Sequence, residues 1–283
     1  MSDSVTPNTQ IGFFKPVYVK VTCGLLILVL IVVVVGPQIA TWEYDAIHWE
    51  AIGVPPSGEH WFGTDNIGRD LFARTMMGGR ISLLIAVLAT TVSFCIGLPW
   101  GAVSGYLGGT TDQVMMRIVD GMYAIPYVLI VIVLVVMLGR NIYLLFVAIG
   151  AVSWLDVSRI VRGQALVLKA APFVASARAM GLPEYRIVVR HVVPNVLGSA
   201  IVFATLMIPS VIISESFISF LGLGVQEPMT SLGVLIADGG KNIYASWWQL
   251  AFPTGFLTIL LLLMTILGER LRRMVTGAER SLT

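Results

Sequence analysis

Long apolar runs separated by short polar segments dominate the pattern of this chain. Six runs, roughly 21–41, 81–106, 117–138, 141–160, 196–221 and 247–268, each hold about 20 mostly apolar residues, the number an α-helix needs to cross ~30 Å of hydrocarbon. Lipid offers the backbone no hydrogen-bond partner, so each run predicts a helix. The expected fold class is therefore all-α, a polytopic membrane protein with six transmembrane helices. Gly97-Leu-Pro99, Pro126 and Pro209 fall inside runs and predict kinks or close helix packing.

Three polar segments interrupt the pattern at length. Residues 42–80 carry Trp42, Trp49 and Trp61, and 222–246 lead to Trp247-Trp248, residues suited to a membrane–water interface. The third, 161–195, is rich in Arg, Ala and Pro. Pro172 is placed to open a helix, since Pro is favoured in a first turn. Phe173 to Met180 is helix-prone, Gly181 reads as its C-cap, and Pro183-Glu184 starts a second short helix running to His191. Pro194-Asn195 is then expected to turn the chain back into the membrane. Two short helices joined at a glycine make a rigid projection, which a soluble partner can grip, although an ordinary interhelical connector has the same ingredients.

Composition fits the membrane class: hydrophobic residues make up 57% of the 283 and charged ones 12%, with a mean hydropathy of +0.87. With the N-terminus cytoplasmic, Lys and Arg gather inside, and only Arg69, Arg74, Arg80, Arg140 and Lys241 of the 18 fall outside. Both termini are then cytoplasmic, as is the 161–195 loop. The layout expected is a tail over 1–20, a first span at 21–41, an outer segment over 42–80, a five-helix core over 81–273 and a tail over 274–283. The first run lacks a cationic lead and a small-residue cleavage site, so it reads as a retained span rather than a signal peptide. Cys23 and Cys95 lie within apolar runs and are expected as buried thiols, not a disulfide.

Charges near or inside spans are the candidates for function. Glu215, with Ser219 one turn on, is a candidate for the translocation path or its gate, as is Asp120. Arg117 with Asp120, and Asp156 with Arg159, have the i,i+3 spacing of local pairs. Asp65 and Arg69 at i,i+4, with Thr64 as a cap, predict a short surface helix over 62–80. His48, His60, Glu50 and Glu59 share one outer segment but match no metal-ligand spacing. No phosphate loop is present, and Gly239-Gly-Lys241 is followed by Asn. Neither a Ser/His nor a paired-Asp arrangement for an intramembrane enzyme is visible. A self-sufficient secondary transporter would want mid-span charges, which are nearly missing, and would leave the long loop unexplained. No catalytic residue, cofactor, metal or nucleic-acid partner is expected.

The 161–195 loop resembles the Glu-Ala-Ala…Gly signature of the inner-membrane subunits of bacterial ABC importers. Ala175-Ser176-Ala177 stands at its start, Gly181 at its glycine, and His191-Val-Val193-Pro194 at its hydrophobic-x-hydrophobic-Pro end. The usual Glu is Ala175 and the second Ala is Ser176. Phe62-Gly-Thr-Asp-Asn-Ile-Gly-Arg-Asp70, Gly105-Tyr-Leu-Gly-Gly109 with Asp112, Met116-Arg-Ile-Val-Asp120 before Ala124-Ile-Pro126, and Ser214-Glu-Ser-Phe-Ile-Ser-Phe-Leu-Gly-Leu-Gly-Val-Gln226 are similar to the dipeptide/oligopeptide branch. Leu232 stands where that branch usually has Trp. The resemblance implies a type I importer permease, the second of a heterodimeric pair, working with two ABC ATPases and an extracytoplasmic binding protein in the lipid of a bacterial inner membrane. It assigns coupling to the ATPase to Ala175, Ser176, Ala177, Arg178, Ala179, Gly181, Glu184, Arg186 and Pro194. Peptides are the implied cargo; nickel, glutathione, opines and antimicrobial peptides are handled by similar permeases.

Overall fold

The structure, a computed structural model, describes residues 16–139 and 141–280. Lys15 and Arg140, counted above in the charge asymmetry, lie outside the described residues, as do most of the 1–20 tail and the last three residues.

Ten α-helices carry the described chain: α1 Pro16–Ile39, α2 Leu71–Leu107, α3 Gly109–Tyr123, α4 Tyr127–Leu138, α5 Ile142–Lys169, α6 Pro172–Ala179, α7 Glu184–Ile187, α8 Val193–Phe220, α9 Leu232–Lys241 and α10 Trp248–Arg280. Among the described residues α1, α2, α5, α10 and the rod made by α7 and α8 are each long and apolar enough to cross a membrane. The sixth expected span is different. The run expected over 117–138 is split between α3 and α4, which meet at 82°. The cause lies in Ala124-Ile-Pro126: proline supplies no N–H and pushes the residue before it out of the helical region, so the two segments cannot continue one another.

Other boundaries move for equally local reasons. The second span begins at Leu71, ten residues before the apolar run, because the Asp70 carboxylate caps the helix by accepting the Ala73 N–H at 2.8 Å. The helix expected over 62–80 therefore does not start at Thr64. Asp65 instead accepts the backbone N–H of Ile67 and Arg69 at 3.0 and 2.9 Å, a turn that competes with helix. Thr64, fully buried, receives Val54 N–H and is held by Gln249 through its carbonyl at 2.9 Å. Pro194 does not turn the chain: a π-helical turn over Val188–Val192 joins α7 to α8, and one rod runs from Glu184 to Phe220.

The strongest packing joins α2 to α5. Gly97, Gly101 and Gly105 recur every fourth residue on α2, against Val157, Val161 and Ala165. A Cβ on these glycines would lie 2.6, 2.8 and 2.9 Å from the Cβ atoms of those three residues. From α5, Gly150 returns the fit against Val92, where the same test gives 2.7 Å. Hydrophobic driving force between helices is weak in lipid, so close van der Waals contact through small residues has to replace it. Cys23 and Cys95 are free thiols; Cys95 sits on the exposed face of α2, not in the interior.

Candidate functional site

The projection after α5 is built by two caps. Pro172 occupies the first turn of α6, and Gly181 follows its C-terminus at φ +80°, a conformation that favours glycine. Val174, Ala177, Ile187, Val188 and Val192 are buried together with Tyr106 of α2 and Val161 and Ala165 of α5. The projection is thus packed onto the ends of α2 and α5. This side of the molecule is called the α6 end below.

Of the residues assigned to coupling, Ala175, Ser176, Arg178, Ala179, Gly181, Glu184, Arg186 and Pro194 are exposed, and Ala177 is buried at 1%. Arg178 and Glu184 are engaged with each other: Arg178 Nε donates to Glu184 at 3.3 Å, its Nη2 donates to the Tyr106 hydroxyl at 3.0 Å, and Tyr106 donates to Glu184. The bond to Tyr106, then that to Glu184, holds the Arg178 guanidinium above its ordinary range. Met180 and Tyr185, exposed at 72% and 66%, protrude beside this triad.

Charges at the ends of α3 and α5 pair across helices, not along them. Arg162 grips Asp112 with two bonds of 2.6 Å, and Ser104 donates to the same carboxylate. Arg159 reaches Asp120 at 2.7 Å and lies over the Tyr123 ring at 4.0 Å, while Tyr123 donates to Asp156. The expected local pairs Arg117–Asp120 and Asp156–Arg159 are not the ones formed. The bend between α3 and α4 leaves α3 within reach of the long side chains of α5, which brings nearer partners.

At the opposite end Glu215 and Ser219 are buried at 0% and 2%. The Glu215 carboxylate accepts from Ser82 of α2 at 2.8 Å and from Ser219 at 2.6 Å. Ser219 in turn accepts from Ser231, which caps α9. Glu215 and Ser219 are therefore buried where α2, α8 and α9 join. Nearby, Arg69 is held by Asp65 at 2.7 Å and Glu227 at 2.8 Å; burial opposes its charge, but these bonds outweigh it and raise its pKa. His60 bonds Asp70 at 2.9 Å, and Trp42 packs against both His60 and His48. Lys241 is paired with Asp238 at 2.9 Å.

A cavity of about 560 Å³ opens between α4, α5, α8 and α10, walled by Tyr127, Ser153, Asp156, Met207, Ser210 and Ser214 among others. None of these was a candidate for the path. Asp156 carried a signal in the sequence, but isolated hydroxyls in an apolar run carry none until helix faces are known.

A family model described as the binding-protein-dependent transport system inner membrane component matches residues 97–278. The chain is 43% identical over 279 residues to the oligopeptide transport system permease protein of Haemophilus influenzae, covering 98% of this chain and 90% of that one. It is 46% identical over 258 residues to the protein of the same name from Escherichia coli K12, with 90% and 85% covered. Against the dipeptide transport system permease protein of Bacillus subtilis it is 40% identical over 249 residues, with 88% and 78% covered. A structure of the MetNI methionine ABC transporter in an inward-facing conformation shares the fold, with a TM-score of 0.55 and 21% identity, over 71% of this chain and 96% of that one. On this evidence the chain belongs to the family of binding-protein-dependent transport system inner membrane components.

Proposed function

We propose that this chain is one of two permease subunits of a peptide importer and that it hydrolyses no ATP itself. The observation that carries the reading is the 43% identity to an oligopeptide permease along 98% of the chain. Its partners are a second, related permease, two ATP-binding-cassette ATPases and an extracytoplasmic solute-binding protein. Both termini and the α6 end face the cytoplasm, in keeping with the clustering of Lys and Arg.

Ala175, Ser176, Arg178, Ala179, Gly181, Glu184, Arg186 and Pro194 belong to the coupling projection, with Ala177 as its buried footing. ATP-driven closure of the ATPases moves the projection, and the helices joined to it switch the path between inward- and outward-open states. What supports this is the physical continuity of the projection with α2, α5 and α8. Ion pairing of Arg178 and Glu184 within the chain leaves Met180, Tyr185 and Arg186 among the exposed groups for an ATPase cleft.

The test is co-purification from mild detergent, followed by ATP-driven uptake of a labelled oligopeptide in proteoliposomes holding every subunit. Recovery of two ATPases and a second permease, with uptake that requires the binding protein, is the expected result. Isolation of the chain alone, or uptake without ATP, refutes the proposal.

A further inference from the structure

We propose that the cavity between α4, α5, α8 and α10 is this chain's wall of the transport path, and that its hydroxyls recognise the peptide backbone. The inference rests on the peptide-importer reading and adds to it the place and the chemistry of contact.

The volume comes first. About 560 Å³ lies within the ~300–1,000 Å³ range of cavities that hold small-molecule ligands. The wall comes next. Phe203, Met207, Ser210 and Ser214 are spaced by four, three and four residues, so one face of α8 lines the opening. That face is amphipathic, whereas a surface meant only for lipid gains nothing from hydroxyls. Ser153 and Tyr127 bring two more from α5 and α4, with their oxygens 3.4 Å apart.

The hydroxyls differ in availability. Ser153 and Ser214 each donate to the carbonyl one turn back, at 2.9 Å; Tyr127 then donates to Ser153, and each serine oxygen keeps a lone pair for a further donor. The Ser210 hydroxyl is exposed and makes no hydrogen bond among the described residues, so it can donate and accept. A stretch of peptide presents N–H donors and C=O acceptors at every residue, and the hydroxyls of this wall answer both.

Charge enters the wall at Asp156, one turn from Ser153 and bonded by the Tyr123 hydroxyl, and at Glu269 and Arg272 of α10, which pair with each other at 3.7 Å. With each of these charges partnered within the chain, hydroxyls that bond the backbone discriminate little between acidic, basic and neutral side chains. Backbone recognition of this kind lets one path serve many sequences and leaves selection to another subunit. Glu215, Ser219 and Asp120 contribute nothing to this wall.

The experiment uses the complete importer in proteoliposomes, with Cys23→Ala and Cys95→Ala removing both native thiols. Ser210→Cys and Ser214→Cys are exposed in turn to a charged, water-soluble thiol reagent, with and without ATP. Leu262→Cys, on an exposed apolar face of α10, is the control. Expected is labelling at 210 and 214 but not at 262, with peptide uptake lost on labelling. Introduced thiols that stay unlabelled in every nucleotide state mean a dry cavity filled by lipid or by a partner helix and overturn the proposal, as does labelling that leaves uptake unchanged. Labelling is read without any peptide, so failure of the parent importer to move peptides counts against the importer reading alone. Ser210→Ala with Ser214→Ala then tests the backbone claim. An about threefold to tenfold loss of uptake, the size expected for one or two hydrogen bonds, should be equal for acidic, basic and neutral peptides. A loss confined to one side-chain class overturns backbone recognition.

Discussion

Helix α5 has two faces that behave in opposite ways. Toward α2 it is a dry seam in which Val157, Val161 and Ala165 meet glycines so closely that no Cβ can be added. Toward α4, α8 and α10 it presents Ser153, Asp156 and Ile160 to an open cavity. The seam continues into Tyr106 and the α6 projection. On the coupling proposed above, close contact is concentrated where force would pass, and withheld where the helices would move apart. Close packing is bistable rather than elastic, so a protein that switches needs both kinds of face on one helix.

Breaking the seam should have the largest effect. Gly101→Leu puts a side chain where even a Cβ would sit 2.8 Å from Val161 Cβ, and overpacking of this kind costs about 3 kcal/mol or more. The expected outcome is loss of monodisperse protein on size-exclusion chromatography. A normal elution profile would mean that the seam yields and that the comparison with the cavity is wrong.

A smaller change at the end of the seam sharpens the contrast. Arg162→Lys keeps the charge but cannot form the two-bond fork on Asp112. It should lower the melting temperature in detergent by an amount equivalent to about 1 kcal/mol. Uptake by the protein that remains folded should be reduced, because α3 is then held to α5 less firmly, chiefly by Arg159–Asp120 and Tyr123–Asp156.

Met180→Asp tests the projection without touching the seam. The side chain is 72% exposed, so stability should change by less than ~0.5 kcal/mol. Recovery of the ATPases in a pull-down should nevertheless fall about tenfold. By comparison Ala177→Glu is a poor probe of docking, since Ala177 is buried and the charge would disrupt the projection itself.

The smallest effect belongs to the open face. Ser153→Ala removes a hydroxyl bonded to its own helix, and the melting temperature should stay within the change expected for ~0.5 kcal/mol. A shift as large as that of Arg162→Lys would show that this face is as tightly determined as the seam.

Much of this arrangement was legible in the sequence. Apolar runs located the helices, and Pro172, Gly181 and Pro183 marked out the projection, because backbone rules act locally. Asp70 as the cap of α2 was missed because Thr64 offered the same signal earlier; only the turn made by Asp65 decides between them. The exchange of partners among Asp120, Arg159, Asp156 and Tyr123 was hidden because it depends on the 82° bend between α3 and α4. Glu215 stood out as a charge in an apolar run, but sequence could not separate lining an opening from joining three helices. The cavity hydroxyls were hidden for the opposite reason, since a lone serine in a span is unremarkable.

The rod from Glu184 to Phe220 has a mechanical consequence. Its 37 residues make it about 55 Å long at 1.5 Å per residue. Glu184 stands at one tip beside Tyr106, and Glu215 near the other among Ser82 and Ser219. On the coupling proposed above, a tilt of ~6° about one tip would sweep the other through ~6 Å, about one helical turn. Motion of that size would exceed the reach of a hydrogen bond, so the serine contacts at Glu215 would hold or release as a set.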